Sequence, residues 1–465
     1  MSTRETTLGT VRGTPTQGLI GATVGFFVGF AAVSLFGPTV NYLQEAAGLS
    51  AGLAGLLVSV PNLSGSLLRI PFSAMVDRDG GRTPFLILLI TSVVGVAGVW
   101  AIITFGEEML RELFPLLLVF GVAGGAGIAT FSVGISQTSY WFPQRSQGSA
   151  LGAYAGIGNI APGLFALLLG VAIPLIGISG SYLAWLGFLV VGVFAYLVLG
   201  RNAPYFQLVS RGTDPERARE VASRHGQVLF PRGRAVDALK ASAAVWRTWA
   251  LVGVYFTTFG GFIALTGWFP KYWDGYLGVE LGAAGALTAA FSIGASVIRV
   301  AGGPLSDRVG GERAALGALL TIAVGAVVMM LAAGVAAAAV GFALLALGMG
   351  VGNAATFKLV PQEVPHAVSG AAGWVGGLGA FGGFVIPNVM AQFVRTGAPG
   401  DPGYAVGFVV FLVLGLASAA LVLLLEVTRK RRSAAGSAES ADTTAAAAES
   451  DDQAKAEKAK EADAV

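Results

Sequence analysis

Between residues 18 and 427 the chain is a succession of twelve apolar stretches, the first over 18–42 and the last over 404–427, separated by short polar segments. A hydrocarbon core of about 30 Å takes roughly 20 apolar residues per helix. In lipid every backbone N–H and C=O must be paired within the span or by a closed barrel, and runs of this length select the helix. The pattern predicts an all-α membrane protein with twelve transmembrane helices. Only 12% of the residues are charged against 54% hydrophobic, about half the charged share of an ordinary soluble domain, which excludes a soluble globular enzyme. The 68 glycines lie inside the apolar runs, where small residues let helix backbones approach closely.

Basic residues concentrate on cytoplasmic faces. The segment 201–247 holds nine of them, and placing it inside puts 23 of the 29 on that face, with Arg111, Lys271 and Arg395 opposite. The reading is a cytoplasmic N-terminal segment (1–17), a six-helix bundle (18–200), a basic cytoplasmic linker (201–247), a second six-helix bundle (248–427) and a disordered cytoplasmic tail (428–465). Residues 1–17 lack the order of a secretory signal, so the first span is expected to be retained. In the linker, Asp214 and Pro215 mark the start of a short surface helix.

There is no cysteine and there are two isolated histidines, His225 and His366, so neither a thiol chemistry nor a metal cage is expected, and no cofactor is implied. The net charge of +3 is too small to suggest a nucleic-acid partner.

The two halves repeat. LLRIPFSAMVDRDGGR (67–82) matches VIRVAGGPLSDRVGGER (297–313), with an arginine eight residues before Asp-Arg and a Gly-Gly turn after it. WFPQRSQGSALGAYAGIG (141–158) matches LVPQEVPHAVSGAAGWVG (359–376) in the same order. Two recurring blocks, with six spans on each side of the basic loop, indicate duplicated, pseudo-symmetric halves.

The remaining three basic residues, Arg69, Arg299 and Lys358, fall within spans. Eight residues of helix are about 12 Å, so if Asp77 and Asp307 mark the cytoplasmic edge, Arg69 and Arg299 lie near mid-membrane. A central arginine costs about 3 kcal/mol on insertion scales. No Asp or Glu falls deep inside a span to pair with them, so the two cations ask for an anion. Lys358 lies nearer the cytoplasmic end, where it either snorkels to the interface or forms a third, titratable cation along the path. Tyr255 and Phe259 share a helix face, which fits either core packing or a ligand box. Asn159 is a polar contact to a ligand or a bond to a neighbouring helix. The runs containing Gly156 and Gly158, and Gly376, Gly377 and Gly379, are not nucleotide sites, since no β-strand precedes them. They read as close, sliding helix contacts.

Together the two six-helix halves and the Asp-Arg-x-Gly-Gly turns resemble the major facilitator superfamily. Within it the chain resembles the nitrate/nitrite porter (NarK-type) family, through the arginines of spans two and eight, GSALGAYAGIGNIAPG (148–163), GAAGWVGGLGAFGGFVIP (370–387), GNAATFKLVP (352–361) and YFTTFGGFIA (255–264). Ala354 and Ser73 depart from glycines of that pattern. The resemblance implies that Arg69 and Arg299 clamp the anion, that Tyr255, Phe259 and Phe131 line its pocket and that Asn159 contributes a polar contact. It implies a monomeric secondary transporter of nitrate and nitrite in the cytoplasmic membrane, with exchange as the leading mode. Proton-coupled symport and a porter for another small organic anion are the alternatives. An intramembrane hydrolase would need Ser/His, metal-ligand or paired Asp groups that the spans lack.

Overall fold

The computed structural model describes residues 11–49, 51–231, 235–394 and 400–431. Arg395 and most of the tail lie outside the described residues, as does the beginning of the N-terminal segment. Eleven of the described helices are long and apolar enough to cross a membrane. A twelfth, Ala51–Asp79, is as long as its counterpart in the other half at 29 residues, and its first 18 residues, 51–68, carry no charge.

In chain order the spans are α1 (Pro15–Thr39), α2 (Ala51–Asp79), α3 (Arg82–Phe105), α4 (Phe114–Trp141), α5 (144–176), α6 (178–199), α7 (Trp246–Phe269), α8 (Leu281–Val309), α9 (Gly311–Leu331), α10 (Val335–Glu363), α11 (Val368–Ala391) and α12 (Gly403–Arg431). The hydrogen bonds of α5 and α6 run on without a gap from Gln144 to Leu199, yet Gly177 stands between them at φ 72° and ψ 172°. Only glycine adopts that backbone readily, so the chain turns there and one 56-residue run becomes two spans. No polar loop separates the two spans at this point, where the residues on either side of Gly177 are apolar.

Helices α1–α6 and α7–α12 form two related halves, which meet along α5 against α8 and α2 against α11. Glycine makes both seams. Gly148 and Gly152 lie on Gly303, Gly156 lies on Ser296 and Val300, and Gly377 lies on Ser66 and Ile70. Between the halves, the Asp214-capped helix Pro215–Arg224 forms as expected, with the carboxylate accepting from the amides of Glu216 and Arg217 at 3.0 and 3.4 Å. A further helix, Ala235–Ala243, packs on α11, where the Trp374 indole donates to the Leu239 carbonyl at 3.1 Å.

Candidate functional site

Arg69 and Arg299 converge on one cluster of rings. Arg69 is held on α2 between the two in-helix prolines Pro61 and Pro71, and Arg299 on α8, five residues before Pro304. They are 0% and 1% exposed. The guanidinium carbon of Arg69 stands 5.0 Å from the Phe131 centroid and 5.3 Å from that of Phe259, and that of Arg299 stands 5.2 and 5.6 Å from the same two. Aromatic faces attract cations at such distances, most strongly where water is excluded.

The rings are ordered by backbone irregularities that periodicity does not reveal. Phe131 follows a 3₁₀ turn, Ala126–Ala129, in α4. Tyr255 caps, and Phe259 lies within, a π-helical turn, Phe256–Gly260, in α7; such turns recur at functional sites. The two side chains do share a face, with centroids 4.9 Å apart and planes 10° from parallel, and Phe131 stacks on Phe259 at 5.5 Å. Phe357 of α10 closes the cluster edge-on, 5.2 Å from Phe131 and 4.8 Å from Tyr255.

The polar partners of the arginines are neutral. Arg69 donates to the Gly376 carbonyl of α11 at 2.8 Å and to the Ile128 carbonyl of α4 at 3.5 Å. Both terminal nitrogens of Arg299 are 3.5 Å from the Tyr255 hydroxyl. Among the described residues neither arginine has a carboxylate partner, and the Nε of each is buried without an acceptor. Two like charges thus share a low-dielectric cage with donors to spare, chemistry suited to an anion. Asn159 on α5 is 1% exposed, and its Oδ1 has no partner on a neighbouring helix.

The glycines named from sequence divide between seam and cage. Gly156 and Gly377 belong to the seams, and Gly158 accommodates Phe26 of α1. Gly376 admits Arg69 and Ser132, and Gly379 admits the Tyr255 ring.

Lys358 does not reach the interface. Its side chain is 7% exposed, its ammonium lies 2.5 Å from the Asp307 carboxylate, and it donates to the Gln144 carbonyl of α5 at 2.8 Å. Snorkelling is replaced by an ion pair. Asp307 also accepts from the amides of Gly148 and Ser149 at 3.2 and 2.7 Å and from the Ser149 hydroxyl at 2.6 Å. Asp77 occupies the related position in the other half and accepts from the hydroxyls of Tyr140 on α4 and Ser369 on α11. Each aspartate thus ties its half to the other at the same end of the bundle.

The Major Facilitator Superfamily profile matches residues 22–387. Probable nitrate/nitrite transporter NarK2 of Mycobacterium tuberculosis is 30% identical over 397 residues, covering 84% of this chain and 91% of that protein. The chain belongs to the nitrate/nitrite porter family of the major facilitator superfamily. Probable nitrate/nitrite antiporter NarK1 of Thermus thermophilus, another member similar to it, is 30% identical across 85% of this chain and 88% of its own. Nitrite extrusion protein of Bacillus subtilis is 27% identical across 85% and 90%. The superfamily fold is shared with the proton:xylose symporter XylE bound to 6-bromo-6-deoxy-D-glucose (TM-score 0.66, 15% identity, 88% of this chain and 95% of that one). The human organic anion transporter MFSD10 shares it too (TM-score 0.64, 14% identity, 88% and 100%). A member of this family is a multi-pass membrane transporter.

Of the cage residues, Phe357 and the Gly376 carbonyl were not singled out from sequence. Phe357 lies in the GNAATFKLVP stretch, which carried the family pattern without indicating which side chain faces the centre. A backbone carbonyl leaves no sequence signal.

Proposed function

We propose that the chain carries nitrate and nitrite across the cytoplasmic membrane by alternating access, as a nitrate/nitrite exchanger. The observation that carries this is the convergence of one buried arginine from each half on shared rings without a carboxylate. A small flat oxyanion fits between aromatic faces while guanidinium N–H groups meet its oxygens in plane, and the names of the relatives point to the same ions.

In this reading the six-helix units 18–200 and 248–427 rock about the anion. The linker 201–247 and both termini lie in the cytoplasm, and a single chain suffices. The ends tied by Asp77 and Asp307 are the cytoplasmic gate, closed here. The residues proposed to contact substrate are Arg69, Arg299, Tyr255, Phe259, Phe131 and Asn159.

Exchange follows from the permanence of the charge. Arginine does not deprotonate in a protein, so an empty clamp presents two uncompensated cations to a closing cavity, which opposes occlusion by about 3–5 kcal/mol. An anion neutralises part of that charge, and the loaded protein interchanges faster than the empty one. Proteoliposomes test this at zero pH gradient: labelled nitrate should enter vesicles preloaded with nitrite much faster than empty ones. Equal rates would rule out obligatory exchange, and uptake that appears only with an imposed proton gradient would establish symport.

A further inference from the structure

α10 turns one sector toward the centre of the molecule. Gly350 and Ala354 pack on α8, against Ile298 and Gly302, whereas Gly352 packs on Thr258 in the π-helical turn of α7. At 3.6 residues per turn, the sector between these two lines of contact belongs to Asn353 and Phe357, one turn apart. Phe357 shows where that sector points, since its ring meets Phe131 and Tyr255. Asn353 is 2% exposed, its Oδ1 has no hydrogen-bond partner, and among the described residues no acceptor takes up its N–H₂. The neighbouring Thr258 hydroxyl is buried without a partner as well. A carboxamide N–H₂ left without an acceptor destabilises the fold, so its presence one turn from the cage wall calls for a ligand that accepts from it.

We propose that Asn353 is a neutral hydrogen-bond donor of the anion site, supplied by α10; the proposal rests on the small-oxyanion reading above. Each half then presents the same kit: Arg69, Asn159 and Phe131 from the first, Arg299, Asn353 and Tyr255 from the second. The two asparagines lie on α5 and α10 and are not equivalent in the repeat, so the balance is chemical. A carboxamide N–H₂ donates in its own plane, as a guanidinium does, and adds neither charge nor a titratable proton. It strengthens the hold on an oxygen of the anion without raising the repulsion between the arginines.

The test is nitrate titration of the purified full-length protein, read as the dissociation constant and as the thermal midpoint with and without nitrate. A wild-type protein that does not respond to nitrate or nitrite would overturn the functional reading itself, independently of Asn353. Given a wild-type response, Asn353→Ala should unfold at the same or a higher temperature without nitrate, having lost an unpaired buried amide, while its nitrate Kd rises about tenfold or more. Asn353→Asp keeps the shape but sets a negative charge toward the anion, and should abolish the response; it is the deciding variant if the alanine protein does not fold. A wild-type nitrate Kd in Asn353→Ala, or in a folded Asn353→Asp protein, would overturn the proposal.

Discussion

Arg69 and Arg299, 230 residues apart in sequence, stand over the same ring: their guanidinium carbons lie 5.0 and 5.2 Å from the centroid of Phe131. One cation comes from each half, so whatever neutralises them also joins the halves. On the exchange reading proposed above, that relationship couples binding to conformational change.

The Asp307–Lys358 pair should behave as a buried ion pair that fastens one end of the bundle. Removing the carboxylate in Asp307→Asn leaves the ammonium against the Gln144 carbonyl alone, and breaking such pairs costs about 3–5 kcal/mol. A lower thermal midpoint is expected for Asp307→Asn and for Lys358→Met singly. The double variant should recover much of the loss. A double-mutant cycle with additive effects would deny the coupling.

Gly379 is where the cage meets α11. A Cβ there would lie 2.7 Å from Cδ1 of Tyr255 and 2.9 Å from its Cβ, so Gly379→Ala must displace the ring, at about 1–3 kcal/mol for overpacking. The KM for nitrate should rise about tenfold. Gly267→Ala, on the same α7 that carries Tyr255 but facing open space, should leave KM unchanged, and an equal effect at both positions would remove the steric explanation.

Tyr255 offers Arg299 a hydroxyl at 3.5 Å and a ring whose centroid lies 6.0 Å from the guanidinium carbon. The long hydrogen bond predicts a small effect of Tyr255→Phe, about threefold or less in nitrate KM, and a loss of about tenfold or more for Tyr255→Ala, which removes the aromatic face as well. Comparable losses in the two variants would assign the hydroxyl, rather than the ring, the main role.

The parts legible in sequence were those that bear charge or recur. Arg69 and Arg299 stood out because a cation in an apolar run is expensive and because each lies eight residues before an Asp-Arg pair. Asp214 announced its helix because capping is local chemistry. Tyr255 and Phe259 were ambiguous, since an aromatic pair at helical spacing looks alike in a core and in a cage; the π-helical turn that aligns them has no periodic signature. Phe131 entered only through family resemblance. The ion pair of Lys358 could not be foreseen because its partner Asp307 lies 51 residues away on another helix and its second contact, Gln144, lies 214 residues away in the other half. Tertiary packing of this kind cannot be read from hydropathy. The break between α5 and α6 rests on one glycine among apolar residues.

The most direct measurement is labelled nitrate uptake by proteoliposomes containing Arg69→Ala, Arg299→Ala or the charge-retaining Arg69→Lys and Arg299→Lys variants, at equal and verified incorporation. Both alanine variants should lose transport by about a hundredfold or more. The lysine variants should remain severely impaired, because an ammonium lacks the planar fork that meets a flat oxyanion. Nitrate uptake at the wild-type rate in both alanine variants would contradict the account.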